Sequence, residues 1–115
     1  MKRGKQRKFS RESIQRKAFL HALAVSLVAY ERIRTTKDRA KAVSAYTDGL
    51  ITVAKRGTLA SRRQLAKNFN FKIVQKLVTE LATRFVDRKG GYTRVLNLGQ
   101  RKSDGAHMAI VEFVE

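Results

Sequence analysis

The chain contains no cysteine, no proline and no tryptophan, and it has few acidic residues. Without cysteine, neither a disulfide nor a thiolate metal site can form. No segment approaches the ~20 apolar residues that a membrane-spanning helix needs. Arg11, Glu12 and Arg16 interrupt the position where a secretory signal would carry its apolar run. The sequence therefore predicts an intracellular, reducing setting, with a removable organelle leader as the less favoured alternative.

Positive charge is what the chain has in excess. Its 115 residues include 26 Lys and Arg against 9 Asp and Glu, a net charge of +17. Such a chain repels itself in a compact form unless a polyanion neutralises it. The hydrophobic content of 43% is enough for one folded domain, which a disordered basic tail could not form. Composition thus favours a small nucleic-acid-binding domain.

The N-terminal segment concentrates this charge, with six cations in its first eleven residues and no acid among them. These cations are Lys2, Arg3, Lys5, Arg7, Lys8 and Arg11. Each one that neutralises a phosphate releases a condensed counterion. Residues 1–9 are predicted to form a flexible RNA-binding arm ahead of a single globular α/β domain, residues 10–115, and Arg16 and Lys17 extend the charge onto that domain. A solvated tail without specific contacts is the alternative, and the run does not separate RNA from DNA.

Apolar periodicity predicts a helix, a strand, three further helices and a hairpin. The predicted helices cover residues 10–30, 36–56, 59–67 and 70–85, and the predicted strands cover residues 31–36, 92–98 and 108–114. Ser10, Thr36 and Asn70 are the predicted N-caps. The expected fold is α+β, with two layers in which about four helices pack on a small three-stranded mixed sheet.

A second basic cluster surrounds a pair of glycines before the hairpin. Its members are Arg84, Arg88, Lys89, Gly90, Gly91, Tyr92, Thr93 and Arg94. Two glycines permit positive φ and let backbone N–H groups approach an anion closely. Tyr92 and Thr93 add hydroxyl donors, and the Tyr92 ring is expected to stack on a base or sugar. An ordinary turn between a helix and a strand explains Gly90-Gly91 equally well.

Other candidate contacts carry weaker signals. Arg62 and Arg63 lie on one exposed helix face, where they either touch phosphates or only solvate the helix. The phenylalanines fall mostly on apolar faces, which predicts core packing for Phe19, Phe69, Phe71, Phe85 and Phe113. Recognition through phosphates and shape is therefore favoured over base-by-base reading.

Signals for catalysis are weak. His21 and His107 are far apart and fit no metal-ligand spacing, and His21 is expected to pack or to touch phosphate. The carboxylates form no acid/base pair, and Gly90-Gly91 lacks the Lys-Ser/Thr of a nucleotide-binding loop. The sequence thus predicts no catalytic residue, no metal and no cofactor. A nucleoid-type DNA-binding protein remains the main alternative, and a small ribonuclease is a third.

An ordered series of motifs resembles the family of bacterial large-ribosomal-subunit protein number seventeen. The matching residues are Arg84, Phe85, the run from Arg88 to Val95, Leu98, Gly99, Arg101, Asp104, Ala106, Met108 and Ala109. Upstream matches are Arg16-Lys17-Ala18, Glu31-Arg32-Ile33-Arg34-Thr35-Thr36, the run from Leu50 to Lys55 and the run from Arg62 to Ala66. The resemblance covers nearly the whole chain.

This resemblance implies a non-enzymatic constituent of the large ribosomal subunit that binds ribosomal RNA near the exit of the nascent-chain tunnel. It also implies an α/β domain with an RNA-contacting arm, and a glycine loop that is functional. The expected partners are large-subunit ribosomal RNA and neighbouring large-subunit proteins, with no membrane and no small-molecule substrate. Arg101 joins the predicted RNA-binding residues. The expected location is a cytoplasmic ribosome, with an organelle ribosome as the alternative.

Overall fold

The computed structural model describes the backbone of residues 2–114 and the side chains of residues 14–114. The elements are α1 (Lys2–Tyr30), β1 (Arg32–Thr36), α2 (Lys37–Lys55), α3 (Leu59–Ala66), a fourth helix, β2 (Thr93–Gln100) and β3 (His107–Phe113). The fourth helix is α-helical over Phe71–Gln75, π-helical over Lys76–Leu81 and α-helical again over Ala82–Arg84. The predicted order of elements and the α+β class are confirmed.

The three strands form one sheet in the order β1-β3-β2. β2 and β3 are a hairpin, and β1 pairs with the other edge of β3, so both pairings are antiparallel. The expectation of a mixed sheet was wrong. β1 and β2 do run in the same direction, but β3 separates them and they share no hydrogen bonds.

Local signals in the sequence set most of the helix boundaries. Asn70 Oδ1 accepts a hydrogen bond from the Ile73 N–H at 3.0 Å, as its predicted capping role requires. Thr58 and Ser61 form a reciprocal capping box at the start of α3. Thr36 lies at the N-cap of α2, although its side chain makes no capping hydrogen bond. α1 begins at Lys2, ahead of the predicted start at Ser10; the flexibility predicted for residues 1–9 stays a prediction.

The core lies between the helices and the inner face of the sheet. α2 contributes a buried stripe at helical spacing, Ala40, Val43, Thr47, Ile51 and Ala54. Leu77 and Leu81 of the fourth helix are fully buried. This packing holds the sheet against α2 and fixes the segment that links the fourth helix to β2.

The phenylalanines divide into two groups. Phe69, Phe85 and Phe113 are buried, as expected, but Phe19 is 41% exposed and Phe71 is 75% exposed. Core packing was therefore the wrong prediction for Phe19 and Phe71. Phe71 is the first residue of the fourth helix, so no preceding turn of that helix covers its ring. Within the described part of the chain, no helix combines the length and the apolar character needed to cross a membrane.

Candidate nucleic-acid interface

The glycine loop, residues 86–92, connects the fourth helix to β2. Gly91 has a φ of +61°, in the left-handed region that favours glycine, whereas Gly90 does not have a positive φ. A Cβ atom added to either glycine would meet nothing within 4 Å. The outer surface of the loop is therefore open, and an anion has room to approach the backbone.

Arg88 and Lys55 hold the loop in shape. Arg88 Nε donates to the carbonyl oxygens of Gly90 and Gly91 at 3.2 and 3.0 Å. Lys55 Nζ, from the last turn of α2, donates to the Arg88 carbonyl and to the Tyr92 hydroxyl. These hydrogen bonds from Lys55 attach the inner side of the loop to α2, and Lys89 is exposed on its outer side.

Tyr92 does not take the role that its sequence position suggested. Its side chain is only 2% exposed, and its ring centroid lies 5.3 Å from that of Phe85. Stacking of this ring on a base or sugar was therefore a wrong prediction, because the ring completes the core under the loop. Lys55 Nζ lies 5.0 Å from the centroid of the same ring.

Thr93 is likewise committed to internal contacts. Its hydroxyl donates to Asp48 Oδ1 at 3.1 Å and lies 2.5 Å from Ser44 Oγ. Burial raises the pKa of Asp48 above its ordinary value, although the hydrogen bonds from Thr93 act in the opposite direction. These contacts join the start of β2 to α2, so the base of the glycine loop is fixed while its surface stays exposed.

Three arginines in the family-like stretch from Arg84 to Ala109 are paired with acids. Arg84 Nη1 lies 2.7 Å from Glu31 Oε1. Arg101 makes a two-point contact with Asp104, at 2.9 and 2.6 Å, which lowers the pKa of Asp104 to about 2. Each of these guanidinium groups therefore already has a carboxylate partner within the protein.

Arg94 is the third paired arginine, and it belongs to a cross-strand triad. Arg32 of β1 and Arg94 of β2 both lie opposite Glu112 of β3. Arg94 Nε donates to Glu112 Oε2 at 2.7 Å, and Arg32 Nε lies 3.4 Å from Glu112 Oε1. The Glu112 side chain is only 15% exposed. The triad therefore joins all three strands and presents one net positive charge instead of two.

A second set of predicted residues carries unpaired charge. In residues 14–114 these cations form no ion pair and are exposed, and they are Arg16, Lys17, Arg62, Arg63, Arg88 and Lys89. They belong to α1, α3 and the glycine loop. The side chains of the six predicted arm cations, from Lys2 to Arg11, lie outside the described side chains. RNA contact stays a prediction for every residue of both sets.

Sequence reasoning missed the residues that support the glycine loop. Lys55, Asp48 and Ser44 are close to the loop only because α2 packs against β2, and no local pattern marks them. His21 packs, one of the two roles expected for it, with its ring 4.4 Å from the Phe69 centroid. Over the described residues, no group of three or more His, Asp or Glu side chains could hold a metal ion.

Comparison with known proteins adds an independent line of evidence. Residues 19–114 match the family model described as Ribosomal protein L17. A relative from Staphylococcus carnosus, named large ribosomal subunit protein bL17, is 50% identical and the match covers 94% of this chain and 98% of the relative. The bL17 of Staphylococcus haemolyticus is 48% identical, with 95% of this chain and 98% of the relative covered.

Proposed function

Since the chain belongs to the ribosomal protein L17 family, we propose that it is a structural, non-catalytic constituent of the large ribosomal subunit. It binds and stabilises folded ribosomal RNA near the nascent-chain tunnel exit, in the cytoplasmic ribosome. Its other partners are neighbouring large-subunit proteins. The relatives at 48–50% identity carry the large-subunit name themselves.

The observation that best supports RNA binding is the separation of paired from unpaired cations. Arg84, Arg94 and Arg101 form ion pairs with acids, whereas the exposed cations of α1, α3 and the glycine loop form none with the described side chains of residues 14–114. A net charge of +17 needs an external polyanion to offset self-repulsion. The exposed set supplies the phosphate contacts, and the paired set maintains the shape of the surface.

The glycine loop is the central contact in this proposal. Lys89 and the Arg88 guanidinium flank an open stretch of backbone at Gly90 and Gly91. Hydrogen bonds from such cations to phosphate oxygens are charge-assisted, and these bonds are shorter and stronger than neutral hydrogen bonds. Recognition at the loop relies on phosphate position and RNA shape, and the arm from Lys2 to Arg11 adds further phosphate contacts.

Membership of the large subunit is tested by fractionating cell lysate on a sucrose gradient. The full chain with an affinity tag should sediment with the large subunit and with intact ribosomes. Exclusive recovery in the soluble fraction at low salt, or co-sedimentation with the nucleoid, would contradict the proposal. The position near the tunnel exit is tested with a photo-crosslinker on an emerging nascent chain, which should label this protein on intact ribosomes.

RNA binding by the arm is tested through its salt dependence. If all six arm cations meet phosphates, deletion of residues 1–11 should reduce the slope of log K against log[salt] by ~5, taking ~0.9 per contact as in duplex DNA. The titration uses transcribed large-subunit ribosomal RNA. A duplex DNA of the same length, measured in the same salt, separates RNA preference from a general affinity for polyanions. Equal affinity for both would favour the nucleoid alternative.

A further inference from the structure

Phe71 lies beside an open cavity between α3 and the fourth helix. The cavity has a volume of about 340 Å³, and Phe71 itself is 75% exposed. Ala66, Phe69 and Val74 also line it. An aromatic ring in this position exposes a large apolar area to water. Burial of that area against a ligand would stabilise the complex.

The apolar wall of this cavity is packed against the core of the protein. Phe69 is 7% exposed, and its ring is stacked on that of His21 with an interplanar angle of 22°. Val74 is 6% exposed. The wall therefore belongs to the packed core and should keep its shape when a ligand binds, while Phe71 is the exposed ring on the open side.

The polar lining of the cavity favours an anionic ligand. Among the described side chains, Arg62 of α3 is the one charged residue that lines it, and no carboxylate does. Gln75 and Thr79 complete the lining, and the Thr79 hydroxyl donates to the Gln75 carbonyl at 2.6 Å. The Gln75 side-chain amide makes no hydrogen bond to other described residues, so its donor and its acceptor are both available to a ligand.

We propose that this cavity binds one unstacked base of ribosomal RNA, an inference that rests on the proposed function. The base stacks on Phe71, its edge pairs with the Gln75 amide, and the adjoining phosphate lies on Arg62. Single-stranded RNA is recognised in this way, by splayed bases on aromatic rings with polar groups at their edges. The Arg62 charge beside the ring matches the phosphate of a nucleotide, and the net charge of +17 favours a polyanion over a protein segment.

The first test compares the full chain with three single variants in binding to transcribed large-subunit ribosomal RNA. Phe71→Ala should weaken binding about 5- to 140-fold, the equivalent of losing one base stack. Phe71→Leu keeps an apolar side chain without a ring and should lose nearly as much. Phe71→Tyr keeps the ring and should bind like the wild type. The slope of log K against log[salt] should stay the same for all three variants, because stacking releases no counterions.

The second test uses two adjacent arginines of α3 as a matched pair. Arg62 lines the cavity and Arg63 does not, although both are exposed. Arg62→Gln combined with Phe71→Ala should cost less affinity than the sum of the single losses, since both hold one nucleotide. Arg63→Gln combined with Phe71→Ala should be additive, as expected for independent sites.

The outcomes separate this inference from the proposed function. If the wild-type chain fails to bind the RNA, the proposed function itself fails. If the wild type binds but Phe71→Ala binds equally well, or Phe71→Leu equals Phe71→Tyr, the base site is overturned. Normal RNA affinity with poor incorporation into subunits would show that the ring meets a neighbouring protein, which also overturns it. Thermal unfolding midpoints should match the wild type, because Phe71 is exposed.

Discussion

Two basic regions use their cations in opposite ways. One is the Glu31 corner, in which Lys76 and Arg84 contact Glu31, and the other is the glycine loop, which begins two residues after Arg84. At the Glu31 corner, Arg84 and Lys76 turn inward and meet the Glu31 carboxylate at 2.7 and 3.1 Å. In the glycine loop, the Arg88 side chain donates hydrogen bonds to the backbone carbonyls of Gly90 and Gly91, and Lys89 is exposed. The corner stabilises the fold, and the loop leaves its charge for an external anion. Density of positive charge alone does not distinguish the two.

The Glu31 corner also turns the chain from α1 into β1. Glu31 has a φ of +66°, an uncommon conformation for a residue other than glycine, and its N–H donates to the Leu27 carbonyl at 2.6 Å. Lys76 Nζ donates to the Ala29 carbonyl at 3.2 Å, near the end of the same helix. The side-chain contacts therefore compensate for a backbone conformation that Glu31 does not favour by itself.

The core under both regions should give the largest effect. Leu81 is fully buried in the fourth helix. Leu81→Ala should lower the free energy of unfolding by ~2–5 kcal/mol, because it removes buried volume and leaves a cavity. Chemical denaturation followed by circular dichroism measures the loss. Exposed Leu59, at 62%, provides the control: Leu59→Ala should change stability little, and equal losses would mean that the burial pattern is wrong.

A smaller effect is expected in the glycine loop, where two neighbouring glycines form a matched pair. Gly91→Ala places a Cβ at positive φ and should cost ~1–2 kcal/mol of stability. Gly90→Ala has neither positive φ nor a close neighbour and should leave stability unchanged. If the loop backbone approaches a phosphate, Gly90→Ala should still weaken RNA binding. Thermal unfolding and RNA affinity are measured for both; unchanged affinity in Gly90→Ala would make the loop a structural turn only.

The sequence predicted the fold better than it predicted the site. Helical periodicity and caps such as Asn70 are local signals, so the order of elements could be read directly. The strand pairing was misjudged because nothing local says which edge of β3 receives β1. Phe71 carries the same apolar signal as Phe69, and only tertiary packing, including the stacking of His21 of α1 on Phe69, decides which ring is covered.

The candidate site shows the same division between local and long-range information. The sequence indicated that both Gly90 and Gly91 permit positive φ, and of the two only Gly91 adopts it. It gives no sign that Tyr92 turns into the core, because the residue stands among exposed loop residues. The acids that neutralise Arg84 and Arg94 lie 53 and 18 positions away along the chain. Pairing over such separations depends on strand register and helix packing, which composition and spacing do not contain.

The Glu31 corner should show its contribution through pH. The hydrogen bond from Arg84, together with Lys76 and against the effect of burial, lowers the pKa of Glu31 from its ordinary value of 4.5 to about 2. A carboxylate whose pKa is lowered by folding stabilises the folded state above its unfolded pKa. That stability is lost as the pH falls from about 4.5 toward about 2.

Glu31→Gln tests this contribution. The variant should lose about 1 kcal/mol at neutral pH, a modest value because the ion pairs are partly exposed and screened by solvent. The difference from the wild type should shrink as the pH falls below 4.5. Urea unfolding at several pH values measures it. Asp87→Asn, at an exposed acid with no ion pair among the described residues, is the control and should show no such convergence. A difference that does not depend on pH would mean that the carboxylate charge is not what stabilises the corner.

The smallest effect should come from comparing a paired with an unpaired cation in RNA binding. Lys89→Gln removes an exposed charge and should reduce the slope of log K against log[salt] by ~0.9, the value for one phosphate contact. Arg94→Gln should change the slope by less, because the Arg94 guanidinium is already hydrogen-bonded to Glu112 and is not free to meet a phosphate. Its cost should appear instead as a loss of stability of ~0.2–1 kcal/mol, typical of an exposed ion pair.

Both variants are titrated against the same RNA over one salt series, with thermal unfolding in parallel. Equal changes in slope would show that the triad opens to meet phosphate, and the distinction between structural and available arginines would then fail at the sheet.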